Sequence, residues 1–146
     1  MFMKTSNKIF LLALLMIFVW ACSGKPEPDL ELFSPEAFAY DVGDSWEVNA
    51  SVNVKGFAID ENNSISEIKL YYKINLITPQ SDTIKSIFDK NVILNADDDE
   101  NQEDVPLEAQ IELDSSFTEG KYELMFYVSD ESSKQSKTVA IPFRLE

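Results

Sequence analysis

The chain has 146 residues, with 12 basic and 26 acidic side chains, no histidine, one cysteine and four glycines. This balance opposes binding to nucleic acid or anionic headgroups and favours cationic partners, while the lack of histidine removes Ser-His-Asp, Cys-His and His-ligated metal chemistry. A hydrophobic fraction of 45% is too high for a disordered acidic chain, so a folded core is expected.

Lys4 and Lys8 precede an uncharged run from Ile9 to Cys22, IFLLALLMIFVWAC, which meets SGKPEPDLE. A positive n-region, an apolar stretch shorter than the roughly 20 residues of a membrane span and a small residue at the cut describe a cleavable signal helix over residues 1–21. Val19-Trp20-Ala21-Cys22 resembles the lipobox of bacterial lipoproteins, although Trp20 is bulkier than that motif usually shows. The resemblance implies a diacylglycerol on Cys22 and attachment to the membrane through the N-terminal lipid. Two or three acyl chains hold a protein stably where one is marginal. Cys22 is also the single cysteine, so the exported chain has no internal disulfide available.

Residues 22–35 hold three of the six prolines and few side chains to bury, and read as the lipidated cysteine plus a flexible tether reaching up to ~40 Å. A domain is then expected over residues 36–146. Trp46, Val48, Ala50, Val52 and Val54 alternate with polar residues as in a half-buried antiparallel strand. Asp60-Glu61-Asn62-Asn63 reads as a turn. Ile68, Leu70, Tyr72, Ile74 and Leu76 mark the inward face of a second long strand. After a break at 78–82, the stretch from Thr83 to Leu94 is least legible and is assigned as strand. A carboxylate-rich loop spans Asn95 to Asp104. Leu107, Ala109, Ile111 and Leu113, then Tyr122, Leu124, Phe126 and Val128, then Val139, Ile141, Phe143 and Leu145 mark three more strands. Pro142 places the last at a sheet edge or bulge. Six or seven strands with no helical period predict an all-β, antiparallel two-sheet sandwich.

Thr118-Glu119-Gly120-Lys121-Tyr122 stands where immunoglobulin-like sandwiches carry a tyrosine corner, a ring at the core edge whose hydroxyl ties down the preceding loop. Gly120 to Glu146 resembles the last hairpin of bacterial Ig-like and cadherin-like modules. Together with the lipobox, it is similar to an uncharacterised family of Ig-like, cadherin/fibronectin-like lipoproteins of Bacteroidota. That resemblance implies the immunoglobulin-like fold of about seven strands and a cell-envelope location, and no activity. Ser23 fits sorting to the outer membrane.

No Gly-rich phosphate loop precedes a helix, and the carboxylates fall on outward strand positions or in loops, so no enzyme activity is expected. The acidic run has a superficial calcium-loop spacing through Asp97 and Asp99, but Gln102 occupies the place of the required glycine. Ig-like topology would instead gather Asp60, Asp97, Asp99 and Asp130 at one end as a candidate calcium site; otherwise no cofactor is expected. The same topology turns that end toward the tether. Tyr71, Met125 and Tyr127 occupy outward positions of neighbouring strands and form a candidate patch for a protein or glycan partner. The expected function is a lipid-anchored envelope lipoprotein with a non-catalytic binding or spacer domain. The alternatives are a glycan-binding accessory of nutrient uptake and a small carboxylate-dependent hydrolase.

Overall fold

The computed structural model describes residues 27–62, 65–96 and 103–146; the signal segment and Cys22 lie outside them. Eight strands follow in chain order: β1 (Glu31–Asp41), β2 (Ser45–Lys55), β3 (Asp60–Asn62), β4 (Ile65–Ile77), β5 (Thr83–Asn95), β6 (Asp104–Asp114), β7 (Gly120–Asp130) and β8 (Ser136–Leu145). All pairings between them are antiparallel. One sheet has the order β1-β2-β6. In the other, β5 and β8 flank a central β4-β7 pair and the short β3 lies beside the start of β4.

The alternation read in the sequence is the burial observed. Val48, Ala50, Val52 and Val54 of β2 face Ile68, Leu70, Tyr72, Ile74 and Leu76 of β4, with the odd-numbered residues of β6 from Val105 to Leu113 and the even-numbered ones of β7 completing the core. Trp46, near the start of β2, and Val139 of β8 are only half-buried. Inside the core, Tyr72 stacks on Phe126 with ring centroids 6.2 Å apart and meets Phe88 at 5.7 Å. Its hydroxyl donates to the Glu108 carbonyl, joining the two sheets through the core. Tyr122 is buried at the opposite end, and its hydroxyl donates to the Thr118 carbonyl at 2.8 Å, the corner contact expected from the sequence.

Three expectations need correction. The tether does not extend to residue 35: Leu30 is fully buried, and β1 pairs from Glu31↔Lys55 onward, with a bulge at Ser34 and Pro35. The reason is a socket for the incoming chain. Gln135 accepts from the Leu30 amide at 2.9 Å and donates to the Pro28 carbonyl, while Gly56, at φ +69°, lets the backbone of Asp29 approach to a distance that any Cβ would block. The turn expected at 60–63 is in part a strand, since Asp60, Glu61 and Asn62 pair with Glu67, Ser66 and Ile65. Eight strands therefore replace about seven. Thr83 to Asn95 forms a strand as assigned, interrupted where Ser86, at φ 52°, donates its amide to Asn75 Oδ1 at 2.8 Å.

Pro142 lies on edge strand β8, as its missing N–H requires. β8 runs alongside β1, which closes that flank of the molecule. On the opposite flank β5 and β6 are splayed. Because Leu30 plugs the end of the core, Leu30→Ala should lower unfolding free energy by about 2–5 kcal/mol. Urea denaturation of the two proteins checks this; an unchanged midpoint would restore the longer tether.

Candidate functional site

The strand register places Glu31, Lys55 and Asp104 in one row at the tether end, with Glu67, Asn95 and Asp130 at the same end of the facing sheet. Asp60, Asn95, Asp104 and Asp130, described residues in or beside the acidic loops, lie at that end. Asp97 and Asp99 lie outside the described residues, and the other two candidate ligands are already engaged. Asp60 pairs with Lys69 Nζ at 2.8 Å and accepts from Asn62. Asp60 and Glu67 together raise the Lys69 ammonium pKa.

Asp130 is wholly buried, and both its carboxylate oxygens are consumed. Oδ1 accepts the amides of Ser132 (2.9 Å) and Ser133 (3.3 Å), and Oδ2 accepts Ser133 Oγ (2.6 Å) and the Ala58 amide (2.7 Å). These bonds fold the β7–β8 turn and fasten it to the β2–β3 connection. Asp60 and Asp130 thus each hold protein groups in place. Among the described residues no group of three metal-ligating side chains occurs.

Tyr71, Met125 and Tyr127 do share the outer face of the larger sheet, where Tyr127 pairs with Lys73, Tyr71 with Ser129 and Met125 with Asn75. They are partly covered. Lys73 Nζ sits 5.2 Å from the centre of the Tyr127 ring, and Tyr71 and Met125 are half-buried.

The larger exposed aromatic surface is on the other sheet, and the sequence reading missed it. Phe38 and Tyr40 are each 55% exposed and Val42 53%. In β1 the small residues Ala37 and Ala39 turn inward, opposite Ala50 and Val48, so the rings point out. A hydrophobicity pattern favours the reverse, with aromatic residues inside. The signal that fixes the phase is the hairpin: Val42 donates to Ser45 and Gly43 to Asp41, which aligns Tyr40 with Glu47.

Three rows cross this face: Glu36–Ser51–Glu108, Phe38–Asn49–Gln110 and Tyr40–Glu47–Glu112. A groove of about 560 Å³ runs from Phe38 and Asn49 past Glu108 and Gln110 to Phe88 and Lys90 of β5. It continues along the splayed flank into a second hollow of about 520 Å³, bordered by Tyr72, Lys90, Ile93, Val105 and Glu108. Tyr72 thus closes the floor between the sheets at this flank.

No family model matches the chain, and no curated protein is similar to it. Among solved structures, a family 123 glycoside hydrolase from Clostridium perfringens aligns with a TM-score of 0.46 at 12% identity, over 68% of this chain. The aligned part is 21% of that enzyme, so this chain spans about a fifth of its length. A Northeast Structural Genomics Consortium target aligns with a TM-score of 0.39 at 9% identity, over 84% of this chain and 88% of that one.

Because the donors around Asp130 belong to the protein, Asp130→Ala should cost about 2–4 kcal/mol with calcium or with chelator alike. Parallel urea melts under the two conditions measure it; a loss confined to calcium buffer would return Asp130 to the role of a ligand. Tyr72 gives a pH signature. Burial, assisted by the Glu108 carboxylate, raises its phenol above the ordinary tyrosine range. The folded state therefore holds this proton more tightly than the unfolded chain, a contribution intact below pH ~10 and lost as pH climbs through the raised value. Unfolding free energy should fall more steeply above pH ~10 in the parent protein than in Tyr72→Phe, as denaturation at stepped pH would record.

Proposed function

We propose that the chain is a lipid-anchored cell-envelope lipoprotein whose immunoglobulin-like sandwich binds or spaces and does not catalyse. The observation that carries this reading is the joint between leader and domain. Pro28 and Leu30 are seated on Gln135 only a few residues after the lipobox-like Val19-Trp20-Ala21-Cys22. The step from Cys22 to Pro28 covers at most ~20 Å, about half the reach first expected. A lipid on Cys22 would hold the domain close to the bilayer, with Asp60, Glu67, Asp104 and Asp130 at the near end.

The strand order supports the fold half of the reading. β1, β2 and β6 stand in the places of strands A, B and E of immunoglobulin-related sandwiches, and β5, β4, β7 and β8 in those of C′, C, F and G. The Tyr122 corner falls at the start of the strand in the F place. The similarity of the last hairpin and the lipobox to Ig-like lipoproteins of Bacteroidota points the same way, and Ser23 favours the outer membrane as the destination. The net charge of −14 excludes nucleic acid as a natural partner on electrostatic grounds.

Palmitate labelling of cells expressing the protein tests the anchor. The parent should carry label and partition with membranes, and Cys22→Ala should lose both. Label persisting in Cys22→Ala would overturn the assignment.

A further inference from the structure

We propose that the outer face of the β1-β2-β6 sheet is a docking surface for a basic polypeptide segment, whose lysine or arginine side chains seat between the rings of Phe38 and Tyr40 and the carboxylates of Glu36, Glu47, Glu108 and Glu112. This deepens the binding side of the reading above and does not depend on the lipid, so the palmitate experiment and the one below fail independently.

Two other aromatic side chains on outward strand positions, Phe33 and Tyr127, show what such rings hold in this protein. Lys55 Nζ lies 5.3 Å from the centre of the Phe33 ring and 3.2 Å from the Glu31 carboxylate, on this same face at its tether end. Lys73 covers Tyr127 on the other sheet. A cation over an aromatic face is attracted by the ring quadrupole, and a neighbouring carboxylate adds to the attraction. Phe38 has Glu36 two residues before it, as Phe33 has Glu31, and Tyr40 has Glu47 opposite it, yet neither ring has a lysine or arginine over it among the described residues. The nearest cationic side chain bordering the groove is Lys90, across it on β5.

The charges on the face argue in the same direction. Glu47 and Glu112 stand directly opposite each other in the β2-β6 register. Like charges at that spacing destabilise a sheet. Neither carboxylate forms an ion pair among the described residues; Glu47 accepts only the Asn49 side-chain amide, at 2.8 Å. A local choice that works against stability is expected where a surface serves something other than folding. A cationic side chain placed between Glu47 and Glu112 would relieve the repulsion.

Free strand edge and orientation suit a chain-like occupant. The Tyr72 hydroxyl reaches the Glu108 carbonyl, so at this position the β6 backbone points away from β2. Period two then directs the backbone groups of Gln110 and Glu112 to the same free edge, and puts Pro106, which has no N–H to offer, on it too. An extended segment entering along that edge would bring basic side chains first to Glu108 and Glu112, from which the rest of the segment can cross the face. With the acidic end nearest the lipid, Phe38 and Tyr40 stand roughly 25 Å further along β1, clear of the bilayer.

The test is a titration of the purified protein with a deca-lysine peptide at low and physiological salt, followed by backbone amide shifts and by calorimetry. Shifts should concentrate at Glu36–Val42, Ser45–Ser51 and Glu108–Glu112. The paired variant Phe38→Ala/Tyr40→Ala, which leaves the charge untouched, should weaken binding at least tenfold, and Glu47→Gln/Glu112→Gln similarly. The control Glu123→Gln/Asp89→Asn, on the other sheet, should change it less than threefold. Thermal melts confirm that each variant is folded. Equal weakening by the control, or full binding by Phe38→Ala/Tyr40→Ala, would reduce the effect to general charge attraction and overturn the proposal. So would a neutral oligosaccharide such as cellohexaose shifting these same amides where the peptide does not, which would give the face to a glycan.

Discussion

No disulfide can join the two sheets, because the single cysteine stands at position 22, ahead of the domain. The fold therefore rests on burial between two inward faces, with every second residue of β2, β4, β6 and β7 withdrawn from water. At roughly 25 cal/mol per Å2 of apolar surface, a few misplaced side chains would consume the margin by which such a domain is stable. A one-residue slip in any of these strands would turn its apolar set outward. Tyr72 sits at the centre of this constraint: its ring packs on Phe126 and Phe88, and its hydroxyl occupies a carbonyl that edge strand β6 would otherwise leave open.

The polar staples are concentrated at the end that receives the N-terminal segment. Asp130 spends its charge on four protein donors, and the turn it organises delivers Gln135 to Pro28 and Leu30. A buried carboxylate in a neutral setting is costly unless hydrogen-bonded this fully. The acidic end is accordingly part structure and part solvated rim. Its turn, its β2–β3 connection and its incoming chain are linked through two side chains, so the segment from Pro28 to Leu30 is fastened to the fold by side chains as well as by sequence.

The two outer faces solve the exposure of aromatic residues differently. On the larger sheet Lys73 lies over Tyr127, and at one end of the smaller sheet Lys55 lies over Phe33. In both the ammonium group lies over the ring face, and that of Lys55 also pairs with Glu31. Phe38 and Tyr40 lack that cover and are bordered by four glutamates, so the smaller sheet carries both the most exposed aromatic rings and an unrelieved like-charge pair.

How much of this was readable in advance follows from how local each determinant is. Alternation over ten or more residues reports burial on one face without reference to partners, which is why β2, β4, β6, β7 and β8 and their inward side chains were legible, as was the Tyr122 corner, four residues from its acceptor. The segment from Leu30 to Asp41 was not, because its inward residues are leucine and alanine and its outward ones phenylalanine and tyrosine; its phase is set by the hairpin to β2 and by the socket at Gly56 and Gln135, more than 20 residues and more than 100 residues away in sequence. That Asp130 is buried was not legible, because a carboxylate at the end of a strand carries no mark of burial. By itself the sequence determined an all-β chain and the inward side chains of its long alternating strands. Only the tertiary structure decided where the domain begins, which carboxylates are spent inside it and which aromatic residues face water, because each of those depends on backbone groups brought together from distant parts of the chain.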